Sequence, residues 1–458
     1  MNLRLGPEPM LNYAREFKYA NAVYGVVDYL ALPIGMLLAA PFLLKHLGVG
    51  QYGVWIMTSA AVSSGGIVSG GFGDAVIKHI GQCRSREDWS GAIHIVRNMI
   101  LINLALSGVL ATVLWCLAPY VTRHVVKTDY ELQVVCLQAL RIGSVLLVIK
   151  SIEGIFINSL RAFETYGQTV CIAVFSRTAI LAASVVLTGC GRNIVWIMLA
   201  TVVLSLAGVL AQALALQRKI GRFLLMPSWH AKTMSDIAAF GVFSWVQAIS
   251  SVVFSQADRF LVGFVIGAPA VAYYGLCVQT AQPIHGLISS GMHFLFPHFS
   301  SRYSVSPASE IKRKVSIAIK ANLIMVGILS LPVMMLGRHI LRMWTGGMFD
   351  HEPSAVLPII ICSFALLGTN VTAHNTLLAI GQIKVVTYLN LLAGIAMLLL
   401  MAILIPGYGL HGAAVARLIY GPITCLTYFQ LYRVLWGPGT STHVKPSSIY
   451  KVVATDTD

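Results

Sequence analysis

The sequence predicts an all-α, polytopic membrane protein of twelve transmembrane helices, arranged as two parallel six-helix lobes around a central cavity. Three observations carry that prediction. Hydrophobic residues make up 57% of the 458-residue chain and charged residues only 11%; ordinary globular domains carry about a quarter charged residues, so lipid must cover most of this surface. Apolar runs of about 20 residues, each able to cross about 30 Å of hydrocarbon as a helix, recur along the whole length. Lys and Arg fall mostly on one side of those runs, as they do in multi-pass membrane proteins.

Taken in order, residues 1–20 lack a compact apolar stretch and a small-residue cleavage site, so they read as an amphipathic cytoplasmic lead-in and not as a signal peptide. Six apolar runs follow at 21–44, 53–73, 98–118, 134–157, 169–187 and 194–213, forming a first lobe over 21–215. A basic linker at 216–237 carries Arg218, Lys219, Arg222 and Lys232. Six more runs at 240–265, 271–296, 317–336, 355–378, 385–405 and 412–431 form a second lobe over 238–433, and 434–458 is a polar cytoplasmic tail. With the amino terminus inside, inner segments hold 21 of the 32 Lys and Arg and outer segments six, which puts both termini in the cytoplasm. The net charge of +15 therefore reads as topology first and substrate charge second. Its thin spread along the chain argues against nucleic acid.

The two sets of six resemble each other. Asn158-Ser159-Leu160-Arg161-Ala162 closes the fourth run, and Asn375-Thr376-Leu377-Leu378-Ala379 closes the tenth, 217 residues later. Leu47-Gly48 leads to Tyr52-Gly53, and Ile266-Gly267 leads to Tyr274-Gly275, with Gly48 and Gly267 offset by 219. Because six is even, the second copy enters the membrane in the same direction as the first, giving parallel repeats with a cavity at their interface.

A charge at mid-membrane costs about 2.5–3.5 kcal/mol on insertion scales, so each needs a partner or a wet cavity. Arg141, Lys150, Arg177, Arg259 and Arg417 fall inside the runs and are the substrate-binding candidates; Asp28 and Asp258 are the ion-coupling candidates. Lys150 and Glu153 share a helical face and read as a mutual ion pair, and Asp74 with Lys78 reads the same way. Asp258 and Arg259 are adjacent and point about 100° apart, so pairing with each other cannot explain both. His285, His293, His374 and His411 could carry protons, although a histidine bonded to neighbouring backbone is the commoner case. Pro33 and Pro283 predict kinks, and the glycines at 65, 66, 70, 71 and 73 predict either close helix packing or a bendable gate.

No Walker A loop, zinc motif or nucleophile elbow occurs, so no catalytic residue, metal or cofactor is expected and an ATP-driven pump within this chain is excluded. The eight cysteines form no metal-spaced cluster; free thiols are expected, with a Cys116–Cys190 disulfide as the alternative.

Leu47-Gly48 with Tyr52-Gly53-Val54-Trp55, Gly71-Phe72-Gly73-Asp74-Ala75, Leu160-Arg161-Ala162, Gln256-Ala257-Asp258-Arg259, and Pro406-Gly407-Tyr408-Gly409 before Gly412-Ala413-Ala414 resemble, in order and over essentially the whole chain, the Wzx-type polysaccharide flippases of the MOP exporter superfamily. The resemblance implies a MATE-like fold and transfer of an undecaprenyl-pyrophosphate-linked oligosaccharide from the inner to the outer leaflet of the bacterial cytoplasmic membrane. It also implies H⁺ or Na⁺ coupling, with Asp28 matching the helix 1 acidic residue of MATE transporters, and contact with membrane lipid and polysaccharide polymerases. Two other readings stay open: a MATE-like cation-coupled drug antiporter, and a membrane-embedded polymerase or ligase, which the short outer loops disfavour.

Overall fold

The computed structural model describes residues 7–63, 65–127, 129–163, 165–221, 227–228, 256–292, 295, 299, 307–350, 352 and 355–437. Among them every regular element is helical. In chain order these are α1 (Pro7–Ser63), α2 (Gly65–Ser85), α3 (Trp89–Val125), α4 (Tyr130–Ala162), α5 (Tyr166–Gly189), α6 (Ile194–Ile220), α7 (Ala268–Met292), α8 (Ala308–Thr345), α9 (Val356–Thr369), α10 (Val371–Ala379), α11 (Ile383–Leu418), α12 (Tyr420–Cys425) and α13 (Thr427–Trp436); residues 256–265 are helical too. Most of the predicted run 240–265, most of the linker, His293 and the tail beyond 437 lie outside the described residues.

Eight described helices are long and apolar enough to cross a membrane. One of these stretches, Ile383–Trp436, has 54 residues. At 1.5 Å per residue it would reach about 80 Å, more than twice the hydrocarbon thickness, and it turns at Gly409 (φ 57°). In the same way α1 turns at Gly48, whose φ of 77° and ψ of 164° interrupt its 57 residues. Both turns are at glycine because a positive φ is open to it without a Cβ clash. By contrast, α1 and α7 continue through Pro33 and Pro283.

Helices α3, α4, α5 and α8 outrun their apolar runs at both ends, since a helix can continue into the polar zone once capped. Asp88 caps α3 by accepting the Gly91 N–H at 2.8 Å, and Asp129 caps α4 by accepting the Leu132 N–H at 3.0 Å, each satisfying a donor that the first turn leaves open.

Packing groups the chain into Met1–Gly275 and Leu276–Asp458. In the first unit, Val76, Ile80, Met99, Phe156, Leu160 and Leu216 form a core shared by α2, α3, α4 and α6. Gly65 lies so close to α4 that a Cβ there would sit 2.5 Å from the Leu147 carbonyl oxygen, the close-packing reading of that glycine-rich stretch. At the other end of the unit, the stretch after Gly48 meets the start of α7. A Cβ on Gly53 would fall 1.9 Å from the Ala268 carbonyl oxygen, and one on Gly275 would fall 2.6 Å from Ile56 Cδ1. Gly267, like its counterpart Gly48, has a positive φ (130°).

A further repeat lies within the membrane. Asn103 and Asn322 are both buried and stand 219 residues apart, the offset of the two turn glycines. Asn103 accepts the Ser151 hydroxyl of α4 at 3.0 Å and donates to the Met99 carbonyl at 2.9 Å. Asn322 donates to the Gly368 and Thr369 carbonyls at 3.1 and 2.9 Å, where the helical run breaks between α9 and α10; Tyr428 also donates to Thr369. Backbone oxygens released by a break must find such donors where no water reaches. We expect Asn322→Ala to lower stability by about 1–3 kcal/mol, the cost of leaving a buried acceptor unsatisfied. Thermal unfolding of the detergent-solubilised protein should drop by several degrees, and an unchanged midpoint would count against this role.

Candidate functional site

On α4 of the first unit, the intramembrane cations Lys150 and Arg141 are each held by a neighbour. Lys150 Nζ lies 2.6 Å from Glu153 Oε2, the pair expected from their i, i+3 spacing. Glu153 is buried and Lys150 half-buried, so the pair brings near-neutral charge into α4. Arg141, also on α4, stacks its guanidinium 5.0 Å from the centre of the Trp115 ring of α3, an attraction between a cation and the negative face of indole. Arg177 is half-buried within α5. Asp28 belongs to α1, and its side chain lies outside the described residues, as do those of Asp74 and Lys78.

Asp258 and Arg259 divide as their 100° separation requires. The Asp258 carboxylate is fully buried; it accepts the Tyr274 hydroxyl at 3.0 Å and the Arg259 backbone N–H at 2.8 Å. Arg259 instead donates Nη1 to Gln256, one turn earlier. A buried carboxylate is costly unless such donors replace water. Tyr274 is thus the partner that sequence reasoning missed. It was noticed only as part of the Tyr-Gly repeat, and its position across the Gly267 turn from Asp258 was the available signal.

In the second unit, Arg417 is buried in the last turn of α11, its guanidinium 4.6 Å from the centre of the Phe364 ring of α9. His285 of α7 lies within electrostatic range of both His374 of α10 and Arg417, and Tyr420, three residues past Arg417, lies within range of the guanidinium. His285 is therefore brought near both a second of the four histidines singled out in the sequence and one of its five cations. Both rings are half-buried, and among the described residues neither has a hydrogen-bond partner. His411 sits apart in sequence from them, half-buried just after the Gly409 turn. Phe364 and Tyr420 complete the cluster; only Tyr420, at i+3 from Arg417, had a signal in the sequence.

Among the described residues no group of three or more His, Cys, Asp or Glu could hold a metal ion. All eight cysteines are free thiols, including Cys116 and Cys190.

Comparison with known proteins places this arrangement. The family model described as polysaccharide biosynthesis protein matches residues 22–303. A Shigella flexneri protein described as an O-antigen transporter is 25% identical over 206 residues, 44% of this chain. The chain spans about half the length of that relative, 47%. Among solved structures, the lipid II flippase MurJ in an inward closed conformation superposes with a TM-score of 0.70, at 14% identity, over 89% of this chain and 87% of that one. An inward-facing multidrug resistance MATE family transporter of the MOP superfamily gives 0.69, at 15% identity, over 89% and 97%. At such identities these likenesses carry the fold alone, the multi-pass helical one of those two proteins. Since the family match also extends over more than half of its residues, the chain belongs to the polysaccharide biosynthesis protein family.

Proposed function

We propose that this protein is a flippase that moves an undecaprenyl-pyrophosphate-linked oligosaccharide from the inner to the outer leaflet of the bacterial cytoplasmic membrane. It does so by alternating access, with twelve helices and both termini in the cytoplasm, and it serves polysaccharide polymerases outside. The observation that carries this reading is the buried Arg417 guanidinium, with the His285 imidazole in electrostatic range, in a chain whose family name is polysaccharide biosynthesis. A diphosphate cannot enter hydrocarbon alone; a guanidinium fork replaces its water with paired donors. Arg177 and Arg259, with Arg141, supply positive charge at other stages of the path, and Lys150 does so only where the substrate displaces its Glu153 partner. An inside-negative potential adds about 2.3 kcal/mol per elementary charge per 100 mV to outward movement of an anion.

Coupling to inward H⁺ or Na⁺ is assigned to Asp28, with Asp258 as the second carboxylate. Asp28 precedes Pro33 in α1, where a change of charge could alter the bend of the helix. The test is reconstitution: proteoliposomes with wild type should move labelled lipid-linked oligosaccharide, faster with an inward ion gradient, whereas Asp28→Asn should keep slow movement and lose the gradient dependence. Gradient-dependent transport by the Asn variant would remove Asp28 from this role. Transport of an organic cation but not of the glycolipid would favour the MATE-like antiporter, whose fold this chain shares.

A further inference from the structure

We propose that the break between α9 and α10 is one form of a two-state hinge, whose other form is the continuous helix that the matching α4 shows in the first unit. The offset of 219 residues that relates Gly48 to Gly267 and Asn103 to Asn322 also relates Ser151 to Asn370. The two units build this corner differently. In the first, α4 runs without interruption from Tyr130 to Ala162, and the Ser151 hydroxyl donates to Asn103 Oδ1 at 3.0 Å. The Asn103 amide nitrogen donates to the Met99 carbonyl, one turn back on its own helix. In the second, the Asn322 amide nitrogen reaches across to the Gly368 and Thr369 carbonyls at 3.1 and 2.9 Å. There the Asn370 N–H bonds to the Leu367 carbonyl at 3.2 Å, and its φ of −75° and ψ of −16° are close to those of a 3₁₀ turn, the tighter winding that often marks a hinge inside a helix.

The broken form leaves one group unserved. Asn322 Oδ1 is buried and has no hydrogen-bond partner among the described residues, whereas its counterpart Asn103 Oδ1 holds the Ser151 hydroxyl. Turning the Asn322 amide over would set this oxygen against two carbonyl oxygens, so the donors fix its orientation. Asn370, buried at the place of Ser151, carries an amide nitrogen that can serve Asn322 Oδ1 once the helix is continuous; its own Oδ1 accepts the Thr427 hydroxyl. In that form the Gly368 and Thr369 carbonyls return to the i→i−4 ladder, and the Asn322 nitrogen turns to the Ala318 carbonyl as Asn103 does to Met99. The Tyr428 hydroxyl, which donates to the Thr369 carbonyl, serves the broken form. Two alternative sets of bonds in one packed corner give discrete states instead of a continuous bend. Phe364, whose ring holds the Arg417 guanidinium, lies on α9, and His374 lies on α10. The hinge therefore moves one side of the candidate site relative to the other, whatever substrate is carried.

The experiment is hydrogen–deuterium exchange of the purified full-length protein in phosphatidylcholine nanodiscs, read on peptides covering residues 366–374. Tyr428→Phe removes a donor that serves the broken form, and Asn370→Ser restores the residue of the continuous repeat. Each should favour the continuous helix and slow exchange of these amides by about fivefold or more, as the loss of one net hydrogen bond from the broken form implies. Tyr432→Phe, at an exposed ring of α13, is the control and should leave exchange as in wild type. A static break predicts the opposite, since losing a donor leaves a backbone carbonyl unserved. Slower exchange in either variant supports the hinge, and unchanged or faster exchange in both overturns it. The same variants in proteoliposomes should slow movement of labelled lipid-linked oligosaccharide, an arm that rests on the flippase reading above. Slower exchange with wild-type transport overturns the hinge's part in the cycle. Slower exchange with no transport by wild type leaves the hinge standing, and the flippase reading falls.

Discussion

Replacing Gly53 with valine is expected to slow transport by about 5- to 150-fold while the protein still reaches the membrane in normal amount. The reason is the nature of the obstacle. A Cβ at this position would lie 1.9 Å from the Ala268 carbonyl oxygen and 2.7 Å from its carbon, and these are backbone atoms that cannot rotate aside as a side chain can. The start of α7 must then move away, and with it the contact between Gly275 and Ile56 on the same surface. Overpacking of this kind costs about 1–3 kcal/mol, which would shift a two-state equilibrium about 5- to 150-fold against the arrangement in which these helices meet. A carrier that must pass through that arrangement in every cycle slows by a comparable factor. Gly53→Ala should be milder but still harmful. Gly108→Ala, in α3 with nothing within 4 Å of the new atom, should be neutral or stabilising, because alanine favours a helix by roughly 0.5–1 kcal/mol over glycine. Transport per molecule, measured with the melting temperature of the same preparation, separates these outcomes. Normal transport by Gly53→Val would mean that the close contact is not required in the cycle.

Sequence periodicity locates features that repeat within one helix or at one turn, and misses those that depend on partners from elsewhere. The Lys150–Glu153 pair was readable because both residues lie on α4 three positions apart. The turn glycines 48 and 267 were readable because they recur at a fixed offset and because a positive φ selects glycine. The break between α9 and α10 was not readable. Its residues, Gly368-Thr369-Asn370, contain no proline, and the donors that stabilise it, Asn322 and Tyr428, come from 46 and 59 residues away. The matching Asn103 and Asn322 did carry a signal: each is followed by Leu and, five residues on, by Gly. The functional cluster lies at the far end of this scale. Arg417 could be singled out by its cost in the membrane, and His285 and His374 by their chemistry. That they converge depends on how α7, α10 and α11 pack, which no single-sequence pattern encodes.

Arg417→Gln is expected to eliminate transport of the lipid-linked oligosaccharide, and Arg417→Lys to restore only a part. Hydrogen bonds to charged groups are worth about 1.5–3 kcal/mol each, so loss of a two-pronged contact with a diphosphate removes about 3–6 kcal/mol, or about 10²- to 10⁴-fold in affinity. Lysine keeps the charge but presents it as a point instead of a planar fork. Its ammonium also stacks less well on an aromatic ring than a guanidinium does, so the Phe364 contact at 4.6 Å that fixes the group would loosen. Phe364→Leu should therefore weaken transport by a smaller factor than Arg417→Gln, since it leaves the charge in place and only unfixes it. A purely structural Arg417 predicts a different order, in which loss of thermal stability tracks loss of transport across Gln, Lys and the Phe364 variant alike. The decisive comparison is transport per molecule against melting temperature for all three. If transport follows charge and fork geometry while the melting temperatures stay together, Arg417 contacts the substrate; if Arg417→Gln transports at the wild-type rate, it does not.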